Sequence, residues 1–290
     1  MYNEFAKCHP FVNFLYFLFV ISVTVFFNHP VIMVISLVSS LTYSALIVGR
    51  KFLKYLFFFI IPMCLLCGAL NPVFNHQGMT ILMYFQDGNP LTLESIVYGA
   101  VSAVLLASVM MWFVCFNGVM DSDKIIYLFG RVIPSLATII TMVMRLVPMY
   151  ASHFKDVYKV RASTMGNMDI VKKLRAGLDS VSSTTTWALE NAVYTADSMT
   201  SRGYGTGKRS FYSDFMFTKR DAGLLIFLIG AGAVFFVSAL SGGGYAMYFP
   251  YIKLGENLWL NLTAYVSFGI VSFMPVCFNL WEDLKWRLLK

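Results

Sequence analysis

Charge is scarce in this chain. Asp, Glu, Lys and Arg make up 13% of its 290 residues. Soluble domains carry about twice that fraction, so an ordinary soluble domain is excluded. Histidine is rarer still. His9, His29, His76 and His153 are scattered without ligand spacing, and no metal site is expected. Of the five cysteines, Cys64, Cys67, Cys115 and Cys277 lie in apolar runs and only Cys8 does not. Cys64 and Cys67 form a CxxC with no second pair, which reads as small buried hydrophobes rather than metal or redox chemistry. A cleaved signal peptide is not expected, because the first apolar run is long and lacks a small-residue cleavage site.

What fills the chain instead is apolar. Hydrophobic residues reach 58%, aromatics 17%, and the mean hydropathy is +0.68. Six apolar runs approach the ~20 residues that a bilayer demands. They cover residues 11–27, 31–48, 56–70, 95–116, 223–240 and 258–280. Asn28, His29 and Pro30 close the first, SGGG closes the fifth, and the tail WEDLKWRLLK follows the sixth. Between the third and fourth, residues 71–94 are less apolar, and the pairs Asn71-Pro72 and Asn89-Pro90 mark turns. The expected fold is all-α and polytopic, with about six transmembrane helices and a cytoplasmic pair of long, crossing amphipathic helices. Three regions follow: an N-terminal transmembrane bundle over 1–116, a cytoplasmic or interfacial domain over 117–221, and C-terminal transmembrane helices over 222–290.

Orientation comes from the cations. Lys7 lies before the first run, Arg50, Lys51 and Lys54 between the second and third, fourteen cations within 117–221, and three in the tail. These alternate connections hold 21 of the 22 Lys and Arg, leaving Lys253 on the other side. The positive-inside rule then makes both termini and the central section cytoplasmic. The net charge of +7 needs no nucleic acid to explain it.

Within the central section, Ile170–Ser201 is the longest regular stretch that cannot be a span. Ile170, Leu174, Leu178, Val181, Thr185, Ala188, Ala192, Ala196 and Met199 recur at steps of three and four, one stripe on a helix about 48 Å long. Gly203 is the expected stop, with Arg202 just before it. A second stripe, Leu146, Tyr150, Phe154, Val157 and Val160, runs over 145–165 and ends near Gly166. Residues 132–147 are apolar but short and interrupted by Pro134, Arg145 and Pro148, so this piece is expected at the cytoplasmic face rather than across the bilayer. The small residues Ser180, Ser182, Ser183, Thr184, Thr185, Thr186, Ala188 and Ala192 would let the two helices cross closely, with Leu178 and Val181 at the crossing. Two amphipathic helices need each other or a partner.

Several features read two ways. Arg202 is either a cation beside a helix C-terminus, contributing about 0.3–1 kcal/mol, or a protein contact. Met165 is either a buried gap-filler or an apolar contact in a partner's groove. Lys208 and Arg209 read as membrane-surface cations. GYGTGKRS resembles a phosphate-binding loop, but Arg202 stands where its first glycine belongs, Arg209 takes the hydroxyl position, and the glycines follow a helix rather than a strand. The chain is therefore not expected to be an enzyme or to bind ATP itself. Asn261-Leu-Thr fits the glycosylation pattern, a short match that arises by chance.

The residues from about 71 to 210 resemble the transmembrane T component of energy-coupling factor (ECF) transporters, of the EcfT/CbiQ type. The likeness is carried by NPVFNHQGMTILMYF with LTLESIVYG, by DSDKIIYLFGRVIPSLATIITMVMRLVPMY, and by ADSMTSRGYGTGKRS. The last matches the family's second Ala-Arg-Gly-type signature at Ser201, Arg202 and Gly203. At the first signature the chain reads Thr164, Met165 and Gly166, so methionine stands where arginine is usual. The resemblance implies a non-catalytic coupler without cofactors. Its partners would be two cytoplasmic ECF ATPase subunits (A and A′ type), a membrane-embedded S component that captures a vitamin or metal ion, and the lipid bilayer. It implies a multi-pass protein of the bacterial cell membrane. A stand-alone secondary transporter or channel is the alternative, and needs polar residues inside spans and paired broken helices. An intramembrane enzyme needs a catalytic constellation at membrane depth, and the sequence offers none.

Overall fold

The computed structural model describes residues 4–49, 51–76, 78–84, 90–130, 133–164, 170–207, 215–249, 251, 253–254 and 257–288. They are overwhelmingly helical, with two small antiparallel ribbons: β1 (Ile81–Tyr84) with β2 (Pro90–Thr92), and β3 (Ala246–Met247) with β4 (Lys253–Leu254). The chain divides into two compact units. Unit 1 holds Met1–Lys124 and Phe215–Lys290, and unit 2 holds Ile125–Asp214.

In unit 1, α1 (Pro10–Phe26) and α2 (Pro30–Val48) begin alike. His9 and His29 are the N-caps, and each Nδ1 accepts from the backbone N–H two residues on, at 3.3 Å. Pro10 and Pro30 take the first helical position, where no N–H is needed. The third apolar run forms one helical segment of α3 (Lys51–Tyr55), a π turn (Leu56–Ile60) and α4 (Ile61–Phe74). Pro62 has no N–H to offer Phe58 and crowds its carbonyl, and the widened turn lies immediately before it. Asn71-Pro72 is not the expected turn. Pro72 sits inside α4, and Asn75 N still donates to Asn71 O at 2.8 Å. Of the second pair, Asn89 lies outside the described residues and Pro90 opens β2. The β1–β2 ribbon is new to the structure.

Thr92 caps α5 (Leu93–Val119), its hydroxyl accepting from Ser95 N. Thr218 and Asp221 close a capping box on α9 (Lys219–Leu240), and residues 241–244 end that helix with Gly242 at φ +92°. Finally, α10 (Leu258–Leu288) continues through Pro275 into the tail. Asn261 is buried on α10, its Oδ1 accepting from Gly244 N at 2.7 Å, which leaves the glycosylation pattern without an accessible amide.

The core of unit 1 is aromatic. Tyr16, Phe17 and Trp112 meet edge to face at 5.3–6.2 Å, and Phe5 joins them through Tyr16. Around these rings the helices approach closely because α2 carries small side chains inward. Ser36, Ser39, Ser40 and Ser44 are all buried. Ser36 also takes the indole N–H of Trp112 at 2.9 Å and meets Thr24 at 2.7 Å, so the buried hydroxyls are satisfied inside the bundle. A Cβ on Gly99 of α5 would lie 2.8 Å from the Gly68 carbonyl of α4, which fixes how near those helices run.

Unit 2 contains α7 (Pro134–Thr164) and α8 (Ile170–Ser201), with α6 (Ser122–Gly130) leading into it. The pieces expected over 132–147 and 145–165 are one helix: α7 has 31 residues, with Pro148 inside it. Among the described residues, six helices are long and apolar enough to cross a membrane by length and composition: Pro30–Val48, Phe52–Phe74, Leu93–Val119, Ser135–Thr164, Lys219–Leu240 and Leu258–Lys285. The count agrees with the sequence reading and the membership does not. Helix α1 has 17 residues, about 26 Å at 1.5 Å per residue, and is a shorter apolar helix. Helix α7 qualifies because it does not stop at Pro148.

His29 gives this fold a pH dependence. It is buried, its Nδ1 is used as an acceptor, and its Nε2 lies 2.9 Å from the Tyr265 hydroxyl. With Nδ1 accepting, the proton belongs on Nε2, which donates to Tyr265. Burial holds the His29 pKa below its ordinary 6.5. A folded value below the unfolded one means that unfolding takes up a proton in acid. Stability is full above about pH 6.5 and falls below it. In detergent, the thermal midpoint of the wild type should drop more between about pH 7.5 and about pH 5.5 than that of His29→Asn, whose amide oxygen can still cap the helix. Scanning fluorimetry reads this, and equal drops would contradict it.

Candidate functional site

Helix α8 ends where its sequence says it should. Gly203 N donates to Thr200 O at 2.9 Å, Tyr204 N to Met199 O at 3.0 Å, and Arg202 N to Ser198 O at 3.2 Å. With Gly203 at φ +80°, this is a Schellman closure in which Arg202 is the C-cap and Gly203 the left-handed residue. Any side chain at 203 would be strained there, by roughly 1–2 kcal/mol. Ser201, Arg202 and Gly203 are all exposed. The Ser201 hydroxyl donates to Asp197 O at 2.8 Å, so the charged group offered outward at this tip is the Arg202 guanidinium. Thr164 ends α7, also exposed, its hydroxyl donating to Val160 O. Met165 and Gly166 lie outside the described residues, as do Lys208 and Arg209.

The crossing of α7 on α8 uses Ser180 and Ser183 from the expected small residues but not the apolar stripe. Leu178 and Val181 are 71% and 52% exposed, and Ile170, Leu174 and Thr185 are exposed with them. The buried residues of α8 are Ala176 and Ser180. From α7, Arg161 Nη2 donates to Ser183 Oγ at 2.7 Å and Nη1 lies 3.4 Å from Asp179 Oδ2. His153 stacks flat on Trp187 at 4.0 Å, and Tyr150 meets that indole edge-on at 5.7 Å. The α7 stripe fares better. Leu146, Tyr150, Phe154 and Val157 are half-buried, while Val160 is 68% exposed and Arg161 takes the inward position.

The physical reason is distance. Close helix approach selects small residues at the point of contact, so Ala176, Ser180 and Ser183 face the partner helix and the bulky aliphatics do not. At 100° per residue, the stripe Ile170, Leu174, Leu178 and Val181 falls on the side of α8 nearly opposite to Ala176, Ser180, Ser183 and Trp187. Helix α8 is therefore two-faced. One side is occupied by α7, and the other is a bare apolar ridge that continues through Leu189, which is 67% exposed. Trp187, His153 and Arg161 were missed in the sequence. The signal available was the step from Ser180 through Ser183 to Trp187, which follows the helical period. Among the described residues, no group of three or more His, Cys, Asp or Glu side chains comes together.

Residues 3–212 match the family described as CbiQ, cobalt transport protein. The chain belongs to that family. The match takes in α7, α8 and the Arg202 cap, and with the multi-pass helices it makes the chain a membrane transport component. No curated protein matches the chain.

The two-faced reading of α8 makes a direct prediction. Ala176→Leu should overpack the crossing at a cost of about 1–3 kcal/mol and raise amide exchange along both α7 and α8. Leu178→Glu should leave that exchange unchanged, because its side chain touches solvent rather than α7. Hydrogen–deuterium exchange on the purified chain distinguishes the two, and disruption by Leu178→Glu alone would reverse the assignment of faces.

Proposed function

We propose that this chain is the non-catalytic coupling subunit of an ECF-type importer. In this reading, two cytoplasmic ATPase subunits dock on the tips of α7 and α8. A membrane-embedded S component carries a vitamin or a metal ion, and α8 passes the closing motion of the ATPases to it. The observation that carries the reading is the exposed Arg202 at the capped end of a 32-residue helix, within the stretch that the family shares. A guanidinium fixed there can donate several hydrogen bonds to carboxylates or carbonyls in a partner's groove. The rod behind it transmits a rigid-body shift. Its bare apolar ridge needs a covering surface, which the S component supplies.

The same reading sets topology and chemistry. The protein is a multi-pass component of the bacterial cell membrane; with the 17-residue α1 crossing and α7 lying at the cytoplasmic face despite its length, both termini and the coupling helices are cytoplasmic, as the distribution of Lys and Arg favours. ATP is hydrolysed by the partners. Met165 in place of the usual arginine makes the two docking points unequal: one is anchored by charge at Arg202 and the other by an apolar contact.

Capture of the tagged chain from solubilised membranes, followed by mass spectrometry, tests the proposal. Two ATPases and a small membrane subunit should come with it. Arg202→Glu should reduce ATPase recovery at least about tenfold, the loss expected when a charge-assisted contact becomes a repulsion, while the amount of chain in the membrane stays the same. Undiminished recovery with Arg202→Glu would refute the docking role. Transport or conductance by the chain alone in liposomes would favour a stand-alone transporter instead.

A further inference from the structure

Unit 1 ends at Lys124 and resumes at Phe215, so the chain leaves for unit 2 and returns at two separate places. Both places are bonded to the same short segment, residues 4–9. On the outgoing side, Lys124 is buried, and its Nζ donates to Ala6 O at 2.5 Å and to Val119 O at 2.7 Å. It thereby joins the 3-10 turn Phe5–Lys7 to the end of α5. On the returning side, Asp221 is buried as well. Its Oδ1 accepts from His9 N at 3.1 Å, while its Oδ2 accepts from Thr218 N and from the Thr218 hydroxyl at 2.9 and 2.7 Å. The His9 ring also meets Phe217 edge-on at 5.3 Å.

The segment is itself held deep in unit 1. Phe5 is fully buried against Tyr16 and Tyr43, and its N–H donates to Asn279 Oδ1 of α10 at 3.2 Å. Arg220, next to Asp221, reaches Glu282 of α10 at 3.5 Å. Burial lowers the Lys124 pKa, with Asp121 and then Cys8 acting in the opposite direction, and it pushes the Cys8 thiol up to about 11. A buried ammonium and a buried carboxylate need firm partners, and here most of those partners are backbone groups of two short connections.

We propose that residues 4–9 form a clasp joining the outgoing and returning connections of the coupling unit, with Lys124 and Asp221 as its positioning residues. Motion of α8 is then delivered to the helices of unit 1 instead of being absorbed by slack in either connection. This rests on the coupling function proposed above. The geometry of the clasp does not.

Hydrogen–deuterium exchange with Lys124→Met tests the two parts separately. In the full chain in nanodiscs, Lys124→Met should raise exchange at residues 4–9 by about tenfold and also at 218–221, since both connections depend on one segment. Lys124→Arg, which can still donate to the carbonyls, should restore protection. Asp221→Asn should loosen residues 4–9 from the opposite side. Change confined to the neighbourhood of residue 124 would overturn the clasp.

In the captured complex with ATP and vanadate, the wild type should show altered exchange in both units. Lys124→Met should hydrolyse ATP at the wild-type rate and keep the change in unit 2, yet lose at least half of it in α1 and α10. An undiminished response in α1 and α10 would overturn the transmitting role. A wild-type capture without ATPases would defeat the coupling reading and, with it, transmission through the clasp, while the nanodisc result would still decide the clasp itself.

Discussion

Two helices of more than thirty residues can cross closely only where their side chains are small, and unit 2 is built on that restriction. Ala176 and Ser180 sit at the contact, and Ser183 and Asp179 receive Arg161 beside it. The stacked pair of His153 and Trp187 lies further along. Because the contact is made by small and polar groups, the large aliphatics of α8 have no place in it and gather on the far side. The bare ridge follows from the crossing itself. A helix that spent its leucines on α7 would have no apolar surface left for anything else.

The same economy of size governs unit 1. Its α2 turns serines inward, and the hydroxyls donate to carbonyls of their own helix or receive the Trp112 indole. Each of these hydroxyls is satisfied locally, as a lipid environment demands. The aromatic core then fills the space between helices brought near by those small residues. Small side chains set separation in both units, and rings supply the buried area.

How far this was legible in the sequence depended on what kind of signal each element carried. Helix α8 was readable at both ends, because its period is unbroken over 32 residues and Gly203 can adopt a backbone that few other residues accept. Its exposed cap at Arg202 was readable for the same reason. Its packing face was legible in part: Ser180 and Ser183, among the small residues expected at a close crossing, are at the contact, whereas Leu178 and Val181 are exposed, because contact distance is set by alanine and serine. Helix α7 was divided in the reading because Pro134, Arg145 and Pro148 interrupt its apolar run over 132–147 while the amphipathic stripe begins at 145, yet an internal proline costs a long helix only one ladder bond and a local bend. The β1 strand carries no alternation, since Ile81–Tyr84 is exposed throughout, and so it left no period to find. The linkage of residues 4–9 to Lys124 and Asp221 spans more than a hundred positions in sequence, and single-sequence patterns hold no information about such pairs.

The π turn at Leu56–Ile60 has a mechanical meaning of its own. One additional residue in a helical ladder advances everything on one side of it by about 100° relative to the other. Side chains before Leu56 and after Ile60 therefore belong to two azimuthal frames within a single rod. Shifting the extra residue from one turn to the next would re-aim only the side chains between the two positions and leave the relative orientation of the two ends unchanged. The frame after Ile60 is the one that brings Gly68 against Gly99.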